Sequence, residues 1–422
     1  MWRYEPSLVR PYPEVERFIT LLEASPGFFE QGRPVYIARA PGRLDVIGGI
    51  ADYSGSLVLE MPLASATLVA VQATQEDTLT IQSSAALDFG GSPLFSIDLA
   101  RLCPTGEALE YASAHQLLTE DTRYAWAAYV AGVLVVLQRE RQLEFSQGLR
   151  VFVHCEVPIG KGVSSSASLE VATMQAFCAL ADYELSEREM ALLCQKVENV
   201  IVGAPCGIMD QYSVVSGQPG HLLALLCQPA ELQEPIALPD DIEFWGIDSG
   251  IRHAVSGSDY TAVRVGAFMG YRIIAEKADL PVEQLAPGYV SIVDSRWHGH
   301  LANISPAEWE RFYRDDVPLE MSGAAFLERY GGFTDTVTYI QPERLYAVRQ
   351  PTAHPIYEHQ RVRLFRTLLA CDPLTREHLL LLGELLYQAH ASYSSCGLGS
   401  DGTDRLVDLV MQAGPEHGLY GA

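Results

Sequence analysis

The sequence predicts an α+β protein with two domains. Strand-like and helix-like segments mix along the chain without strict alternation, which favours an α+β fold over a doubly wound parallel sheet. The 422 residues are many for one hydrophobic core. A proline-bounded stretch, Pro235 to Pro239, precedes a strand-like segment and indicates a boundary near residue 230. We therefore expect an N-terminal domain over 1–229 and a C-terminal domain over 230–422.

Hydrophobic periodicity assigns the elements of the chain in order. Residues 1 to about 34 predict a helix and a loop, and the pair Pro41-Gly42 predicts a turn after the first strand. Residues 280–350 are mixed and rich in turns. The predicted strands cover 34–40, 57–63, 66–73, 149–157 and 242–247, and the predicted helices cover 124–138, 169–179, 186–203, 262–278, 359–369 and 379–393.

Charge and composition exclude several classes of partner. The net charge of −24 argues against nucleic acid or an anionic membrane, because both require local positive charge. The longest apolar run, 125–137, is too short to span a bilayer, and the N-terminus lacks the regions of a signal peptide. The eight cysteines form no C-x-x-C pair and predict reduced thiols in a cytoplasmic protein. His298 and His300 lack further ligands nearby and are assigned to a loop.

A glycine- and serine-rich loop lies between a predicted strand and a predicted helix, within VPIGKGVSSSASLEV at 157–171. Gly160 and Gly162 let the backbone approach a ligand closely. Three serines, at 164–166, stand where the first turn of a helix has unpaired N–H groups and a positive dipole end. This arrangement predicts a phosphate site, and an ordinary capped helix start is the alternative.

A second segment of interest runs from residue 38 to residue 55. Arg43 follows the Pro-Gly pair, and its planar, always charged guanidinium suits phosphate. Asp52 stands in a glycine-rich loop, where a carboxylate is a natural acceptor for paired sugar hydroxyls. Taken alone, the segment is equally consistent with a surface arginine and a turn aspartate.

A third segment runs from Glu198 to Gln211. Glu198 lies on a predicted helix, and its carboxylate suits a hard divalent cation. Asp210 follows a turn at 205–207 and has apolar neighbours, so the carboxylate needs a partner or a chemical task. The alternative is that Asp210 caps the helix that follows.

Together these segments resemble the small-molecule kinases of the galactokinase, homoserine kinase, mevalonate kinase and phosphomevalonate kinase (GHMP) superfamily. The sugar-kinase branch is the most similar, because GRLDVIGGIADY at 42–53 replaces the galactokinase signature and Gly-Ile-Met-Asp-Gln is intact at 207–211. The segment that ends at Tyr260 resembles the sugar-contacting tyrosine segment of the family. The residues at 48–56, 247–253 and 396–404 are more similar to the L-arabinokinase group than to the galactokinases.

Gly49 and Ile50 depart from the galactokinase signature, which has a Glu-His pair that contacts sugar hydroxyls. L-Arabinopyranose is galactopyranose without its exocyclic hydroxymethyl group. A site with Gly and Ile at these positions leaves galactose hydroxyls unsatisfied, and a buried hydroxyl without a partner is costly. The departure therefore favours a pentose.

The resemblance implies a two-domain GHMP kinase fold with mixed sheets and an active site in the cleft between the domains. It implies an ATP-dependent sugar-1-kinase that converts L-arabinose to L-arabinose 1-phosphate, with ATP, a small-molecule sugar and Mg²⁺ as its partners. Asp210 would be the catalytic base and Arg43 would stabilise charge and keep Asp210 ionised. The resemblance implies that the nucleotide is bound by Gly160, Lys161, Gly162, Val163, Ser164, Ser165, Ser166 and Ala167. Trp126 and Tyr129 would pack against adenine, with simple core packing as the alternative. The implied sugar residues are Asp52, Gly207 and Tyr260, and the implied metal ligands are Glu198 and Ser166 or its neighbour Ser165.

The family also has a third glycine-rich motif, which follows a Gly-Leu-Tyr-Gly segment. Here that segment is Gly418 to Gly421, one residue before the last residue of the sequence. The resemblance thus predicts a fragment, a truncated product or one part of a split protein. Two alternatives stand beside the L-arabinokinase hypothesis: a galactokinase-like kinase for galactose or another sugar, and a catalytically inactive regulator that binds sugar and ATP. The sequence leaves the oligomeric state open.

Overall fold

The computed structural model describes residues 13–25, 27–84, 86–89, 91–104, 106–251 and 257–422. The N-terminal six residues and the Arg252-His253 end of the 247–253 motif lie outside the described residues. The chain folds into two compact units, each built from separate stretches. The first unit holds the chain up to Arg43, Leu63–Ala204 and Asp210–Val215, and the second holds Leu44–Pro62, Pro205–Met209 and Ser216–Ala422. This division differs from the halves 1–229 and 230–422, because two N-terminal strands and the 205–215 segment contribute to both units.

The first unit combines a sheet with helices. Two of its strands and its last helix run on into the second unit. Its strands are β1 (Tyr36–Ile47), β2 (Leu57–Thr74), β3 (Thr78–Ser83), β4 (Leu94–Asp98) and β5 (Gly148–Cys155), and its helices are α1 (Pro13–Glu23), α2 (Leu99–Leu102), α3 (Tyr111–Thr119), α4 (Ala128–Arg141), α5 (Ser165–Leu180), α6 (Glu187–Lys196) and α7 (Met209–Ser216).

The sheet of the first unit has both parallel and antiparallel pairs. Its strands lie in the order β4-β3-β5-β2. β5 is parallel to β3 and antiparallel to β2, with Thr67 opposite Cys155 and Thr74 opposite Gly148. Apolar residues of these strands pack with α4 and α5 in one core. This core includes Val71 of β2, Val151 of β5 and Phe177 of α5. The α+β expectation is confirmed.

The second unit holds the remaining elements. The strands are β6 (His221–Leu226), β7 (Glu231–Leu232), β8 (Ile236–Ala237), β9 (Val282–Ala286), β10 (Gly288–Ile292), β11 (Glu320–Ser322), β12 (Gly332–Phe333) and β13 (Leu345–Ala347), and the helices are α8 (Gly257–Lys277), α9 (Pro306–Glu308), α10 (Gly323–Tyr330), α11 (Arg349–Leu369), α12 (Arg376–Ser395) and α13 (Asp401–Ala413). The strands that follow β6 in this unit are short.

Helices α8, α11 and α12 contribute to two cores of the second unit. The N-terminal part of β2 pairs with β6, with Leu57 opposite Leu226, and packs against apolar residues of α11 and α12. A separate core joins α8 to the start of α11. The helices predicted over 262–278, 359–369 and 379–393 are confirmed, since they fall within or almost coincide with α8, α11 and α12.

Three sequence predictions of local structure are wrong. Pro41 and Gly42 lie inside β1 and form no turn, and the two strands predicted at 57–63 and 66–73 are the single strand β2. Residues 242–247 form no strand. Alternation places Ile242 and Phe244 against a core, but Trp245 is 76% exposed and a ladder also needs a partner strand, which the sequence pattern cannot supply.

All eight cysteines are free thiols. In the part of the chain that the structure describes, no helix has the length and apolar character needed to cross a bilayer.

Candidate active site

The glycine- and serine-rich loop connects β5 to α5 as the sequence predicts. Three of its residues have left-handed backbone conformations: Gly160 with φ +71°, Gly162 with φ +72° and Ser164 with φ +57°. A Cβ added at either glycine would meet no atom within 4 Å, so the glycines are required by conformation and not by lack of space. The loop therefore turns sharply before the helix begins at Ser165.

The first turn of α5 offers donors to a ligand. Its earliest backbone bond runs from the Ser168 N–H to the Ser164 carbonyl, so the N–H groups of 165–167 precede the helical ladder. The Ser164 side chain is 7% exposed, and its buried hydroxyl has no hydrogen-bond partner among the described residues. Ser165 and Ser166 are half-buried, while Ala167 is in the core. Unpaired donors and a positive dipole end fit a phosphate here.

Arg43 connects this loop to Asp210. Arg43 is 6% exposed, donates from Nη1 to the Gly162 carbonyl at 2.7 Å and pairs through Nη2 with Asp210 Oδ1 at 2.6 Å. The Arg43 N–H also donates to the Val163 carbonyl at 3.2 Å. Asp210 lies in the first turn of α7. One guanidinium therefore contacts both the glycine- and serine-rich loop and the candidate base.

Gly42 explains how Arg43 comes so close to the loop. A Cβ at Gly42 would lie 2.8 Å from Val157 Cγ1 and 2.9 Å from the Val163 carbonyl oxygen. Only a residue without a side chain lets β1 run against the loop at this distance. The Pro-Gly pair is thus a close-packing device within a strand.

Two buried carboxylates, Glu170 and Glu198, share the amide of Gln211. Glu198, in a π-helical turn over Val197–Val202 that continues α6, accepts from Gln211 Nε2 at 2.6 Å. The same nitrogen lies 3.2 Å from Glu170 Oε2. Burial, with the nearby charge of Glu198, raises the pKa of Glu170 well above the ordinary value of 4.5. The raised pKa favours the protonated form of Glu170, which makes it the poorer ligand for a cation.

Trp126 and Tyr129 have different environments. Trp126 belongs to the core of the first unit, and its indole N–H donates to the Ser92 carbonyl at 3.0 Å. Tyr129 is half-buried in the first turn of α4. Packing in the core therefore accounts for the burial of Trp126, and Tyr129 is the more exposed of the two residues.

The candidate sugar residues Asp52 and Gly207 meet in the second unit. Asp52 is buried, and its Oδ2 accepts from the Met209 N–H at 3.4 Å. A Cβ at Gly207 would lie 1.7 Å from the same oxygen. Gly207 is therefore needed because the Asp52 carboxylate approaches the backbone there.

Tyr260 packs against Tyr53, which follows Asp52 in the chain. The Tyr53 and Tyr260 rings pack edge to face with centroids 5.9 Å apart. Burial, followed by the charge of Asp52, raises the pKa of Tyr260 well above its usual range. The phenol therefore keeps its proton and can donate a hydrogen bond to a sugar hydroxyl.

A buried ion pair supports this group of residues. Arg264 and Asp335 form two hydrogen bonds of 2.8 Å each. Arg264 also donates to the Cys206 carbonyl at 3.1 Å, and its guanidinium lies over the Tyr53 ring. Both partners are nearly fully buried, so this pair orders the 205–209 segment that contains Gly207.

The sequence did not identify Glu170 or Arg264 as residues of the candidate site. Glu170 is the one charged residue of helix α5, and that contrast was the available signal. Arg264 lies far from Cys206 in sequence, and only the fold brings the two together. Within the first unit the structure brings Arg43, Asp210, Glu198 and the loop to one place, which is a set of groups suited to phosphoryl transfer.

Two family models match the chain. Residues 128–218 match the model described as GHMP kinases N terminal domain, and these residues include the glycine- and serine-rich loop, Glu198 and Asp210. Residues 28–73 match the model described as galactokinase galactose-binding signature, and these residues include Arg43, Asp52 and Tyr53.

Curated relatives extend the similarity over most of the chain. It is 43% identical to an L-arabinokinase of Arabidopsis thaliana over 95% of its own length, and it spans 42% of the length of that protein. It is 30% identical to a galactokinase of Chloroflexus aggregans, with 92% of this chain and 80% of that protein covered. It is 33% identical to a galactokinase of Chloroflexus aurantiacus, with 90% and 79% covered.

A solved structure matches at the level of the fold. The galactokinase of Lactococcus lactis complexed with galactose has a TM-score of 0.65 and 17% sequence identity to this chain. The match covers 94% of this chain and 84% of that one.

Proposed function

The chain belongs to the galactokinase family of the GHMP kinases, and we propose that it transfers the γ-phosphoryl group of ATP to the anomeric hydroxyl of L-arabinose. The observation that carries the proposal is the Arg43–Asp210 pair beside the glycine- and serine-rich loop. It joins a base, a cation and a phosphate-binding helix start in one unit.

Asp210 accepts the proton of the anomeric hydroxyl as that oxygen attacks phosphorus. The new O–P bond forms while the bond from the γ-phosphorus to the bridging oxygen breaks, and ADP leaves. Arg43 stabilises the charge on the transferring group and keeps Asp210 in position. Because phosphoryl transfer needs little covalent help, positioning and electrostatics supply most of the rate.

The loop and the start of α5 bind the phosphates of ATP. The N–H groups of 165–167, the Ser164 hydroxyl and the left-handed glycines support this role. Tyr129 would pack against adenine, and so would the exposed part of the Trp126 ring.

A magnesium ion fits the donor groups around Glu198. Mg²⁺ prefers hard oxygen ligands and is often bound by one or two carboxylates together with substrate phosphates. Glu198 supplies one buried carboxylate, and Ser166 or Ser165 supplies a hydroxyl at the start of α5. No group of three or more His, Cys, Asp or Glu side chains suited to a metal occurs among the described residues. When bound, the ion would neutralise phosphate charge.

The second unit supplies sugar recognition through Asp52, Gly207 and Tyr260. Ile50 supports the choice of a pentose, because it is 4% exposed and packs with Val263, Cys396 and Leu398. An apolar side chain there offers no partner to the exocyclic hydroxyl of galactose. The relative with 43% identity is named an L-arabinokinase, which supports the same substrate.

A coupled assay of ADP release with Mg²⁺-ATP tests the proposal on L-arabinose, D-galactose and D-glucuronate. We expect the highest kcat/KM with L-arabinose and a product that carries phosphate on the anomeric oxygen. A higher kcat/KM with galactose would replace the substrate assignment. ATP binding without turnover of any sugar would instead favour a regulator.

A further inference from the structure

Helix α11 holds two consecutive residues of the sugar loop by their backbone atoms. His354 is 2% exposed, and its Nε2 lies 2.8 Å from the Gly49 carbonyl oxygen. One turn further along α11, the buried Glu358 carboxylate accepts the Gly48 N–H and is paired with Arg361. The helix thus fixes an N–H and a C=O on either side of one peptide unit, directly before Ile50.

The hydrogen positions at His354 follow from its partners. A carbonyl oxygen only accepts, so Nε2 carries the hydrogen that it donates to Gly49. Nδ1 then accepts from the Ser392 hydroxyl, which lies 2.9 Å away on α12. Burial lowers the pKa of His354 to about 4, so this neutral tautomer persists at neutral pH.

Ile50 is held in a conformation that it would not adopt alone. Its φ of +53° is left-handed, which is unfavourable for a β-branched residue. Such strain persists only where surrounding contacts fix the backbone. The contacts to Gly48 and Gly49 from α11 meet that requirement, and the apolar cluster with Val263 and Leu398 holds the side chain.

We propose that His354 is a positioning residue for the sugar: by fixing the Gly49 carbonyl, it holds Ile50 in place and thereby sets the preference for a sugar without an exocyclic hydroxymethyl group. The inference rests on the proposed function. His354 acts through Gly49 and Ile50, and it makes no proton transfer of its own.

The test compares variants of the full chain in the ADP-release assay. His354→Leu removes the donor to Gly49, and His354→Gln keeps a donor near the position of Nε2. Leaving one buried carbonyl without its donor should raise the KM for L-arabinose about tenfold. The kcat and the KM for ATP should stay within about twofold, the preference for L-arabinose over galactose should fall, and His354→Gln should restore most of both.

His359 provides a matched control on the same helix. Its Nδ1 accepts the Leu57 N–H at 3.0 Å, so it supports β2 and not the 48–50 backbone. His359→Leu should lower the melting temperature and leave the KM for L-arabinose unchanged. An equal rise of that KM in both leucine variants, or no rise in His354→Leu, would overturn the proposal.

Two further measurements keep the test decisive. If His354→Leu does not fold, Ser392→Ala removes only the donor to Nδ1 and should still raise the KM for L-arabinose, by about two- to threefold. An unchanged KM in Ser392→Ala would then overturn the proposal. If the wild-type chain turns over no sugar, the proposed function is wrong, and calorimetric titration with L-arabinose compares the same variants. Wild-type binding that His354→Leu weakens would still support the positioning role, and no binding by the wild type would overturn it.

Discussion

Arg43 Nη2 lies 2.6 Å from Asp210 Oδ1, while Nη1 of the same guanidinium donates to the Gly162 carbonyl at 2.7 Å. The two contacts use the planar fork of arginine, which a lysine would not reproduce. Because Arg43 is buried, the geometry of the base and that of the phosphate loop are fixed by one side chain. Arg43, Asp210 and the glycine- and serine-rich loop therefore form one connected group of residues in the first unit.

Asp210→Asn should lower kcat by roughly a hundredfold to ten-thousandfold, the range attributed to a general base. Asparagine keeps the shape and still accepts from Arg43, so the melting temperature should change little. The ADP-release assay measures the loss. Asp121→Asn is the matched control, because Asp121 pairs with Arg123 at the surface at 2.5 Å and should leave kcat unchanged. Wild-type turnover by Asp210→Asn would exclude Asp210 as the base.

Gly207→Ala should raise the KM for the sugar by tenfold or more, with the KM for ATP unchanged. The new methyl group would lie 1.7 Å from Asp52 Oδ2, and the buried carboxylate would have to move. Gly220→Ala is the control: its φ is +72° and a Cβ there meets nothing within 4 Å, so it should cost about 1 kcal/mol of stability and leave the KM unchanged. Equal sugar KM values in the two variants would contradict the role of Gly207.

The sequence predicted the residues whose chemistry is local. The loop at 157–171 could be recognised because its glycines, its serines, the strand before it and the helix after it are all neighbours in the chain. Arg43 and Asp210 carried strong residue types, but each had a plausible alternative. Only their contact across 167 positions in the fold brings them into one candidate site.

The sequence could not predict features that depend on distant partners. Gly42 suggested a turn, yet its role is set by Val157 and Val163, which lie more than a hundred residues away. The alternation at 242–247 was real, but a strand also needs a neighbour with which to pair. His354 precedes the helix predicted over 359–369, and nothing local showed that it would reach Gly49.

His354 should make the free energy of unfolding depend on pH. Burial lowers its pKa to about 4, below the ordinary 6.5, so the unfolded chain binds a proton that the folded chain does not. Its contribution is complete above pH 6.5 and is lost as the pH falls toward 4. Between pH 7 and pH 5 the loss should be about 2 kcal/mol, measured by urea unfolding. His354→Gln should remove this share of the pH dependence, and an unchanged pH dependence in the variant would contradict the assignment.

His359 should behave in the same direction. Burial lowers its pKa to about 4 as well, so His359→Gln should also flatten the dependence between pH 7 and pH 5. The double variant should be flatter than either single variant.

Ser164 and Ser168 should separate nucleotide binding from stability. Ser164 has a buried hydroxyl with no partner among the described residues, whereas Ser168 donates to the Ala40 carbonyl at 2.8 Å and lies 2.7 Å from Thr67 Oγ1. A buried hydroxyl without a partner destabilises the free protein, and one that is satisfied stabilises it.

Ser164→Ala should therefore leave the melting temperature equal to that of the wild type or higher. It should raise the KM for ATP about tenfold, because the Ser164 hydroxyl would form its hydrogen bond with the bound nucleotide. Ser168→Ala should cost about 1 kcal/mol or more of stability and leave the KM for ATP unchanged. Thermal melting and ATP saturation curves at fixed sugar measure both quantities. If Ser164→Ala binds ATP as the wild type does, the hydroxyl does not face a phosphate, and the donors at the start of α5 are limited to its backbone N–H groups and to Ser165 and Ser166.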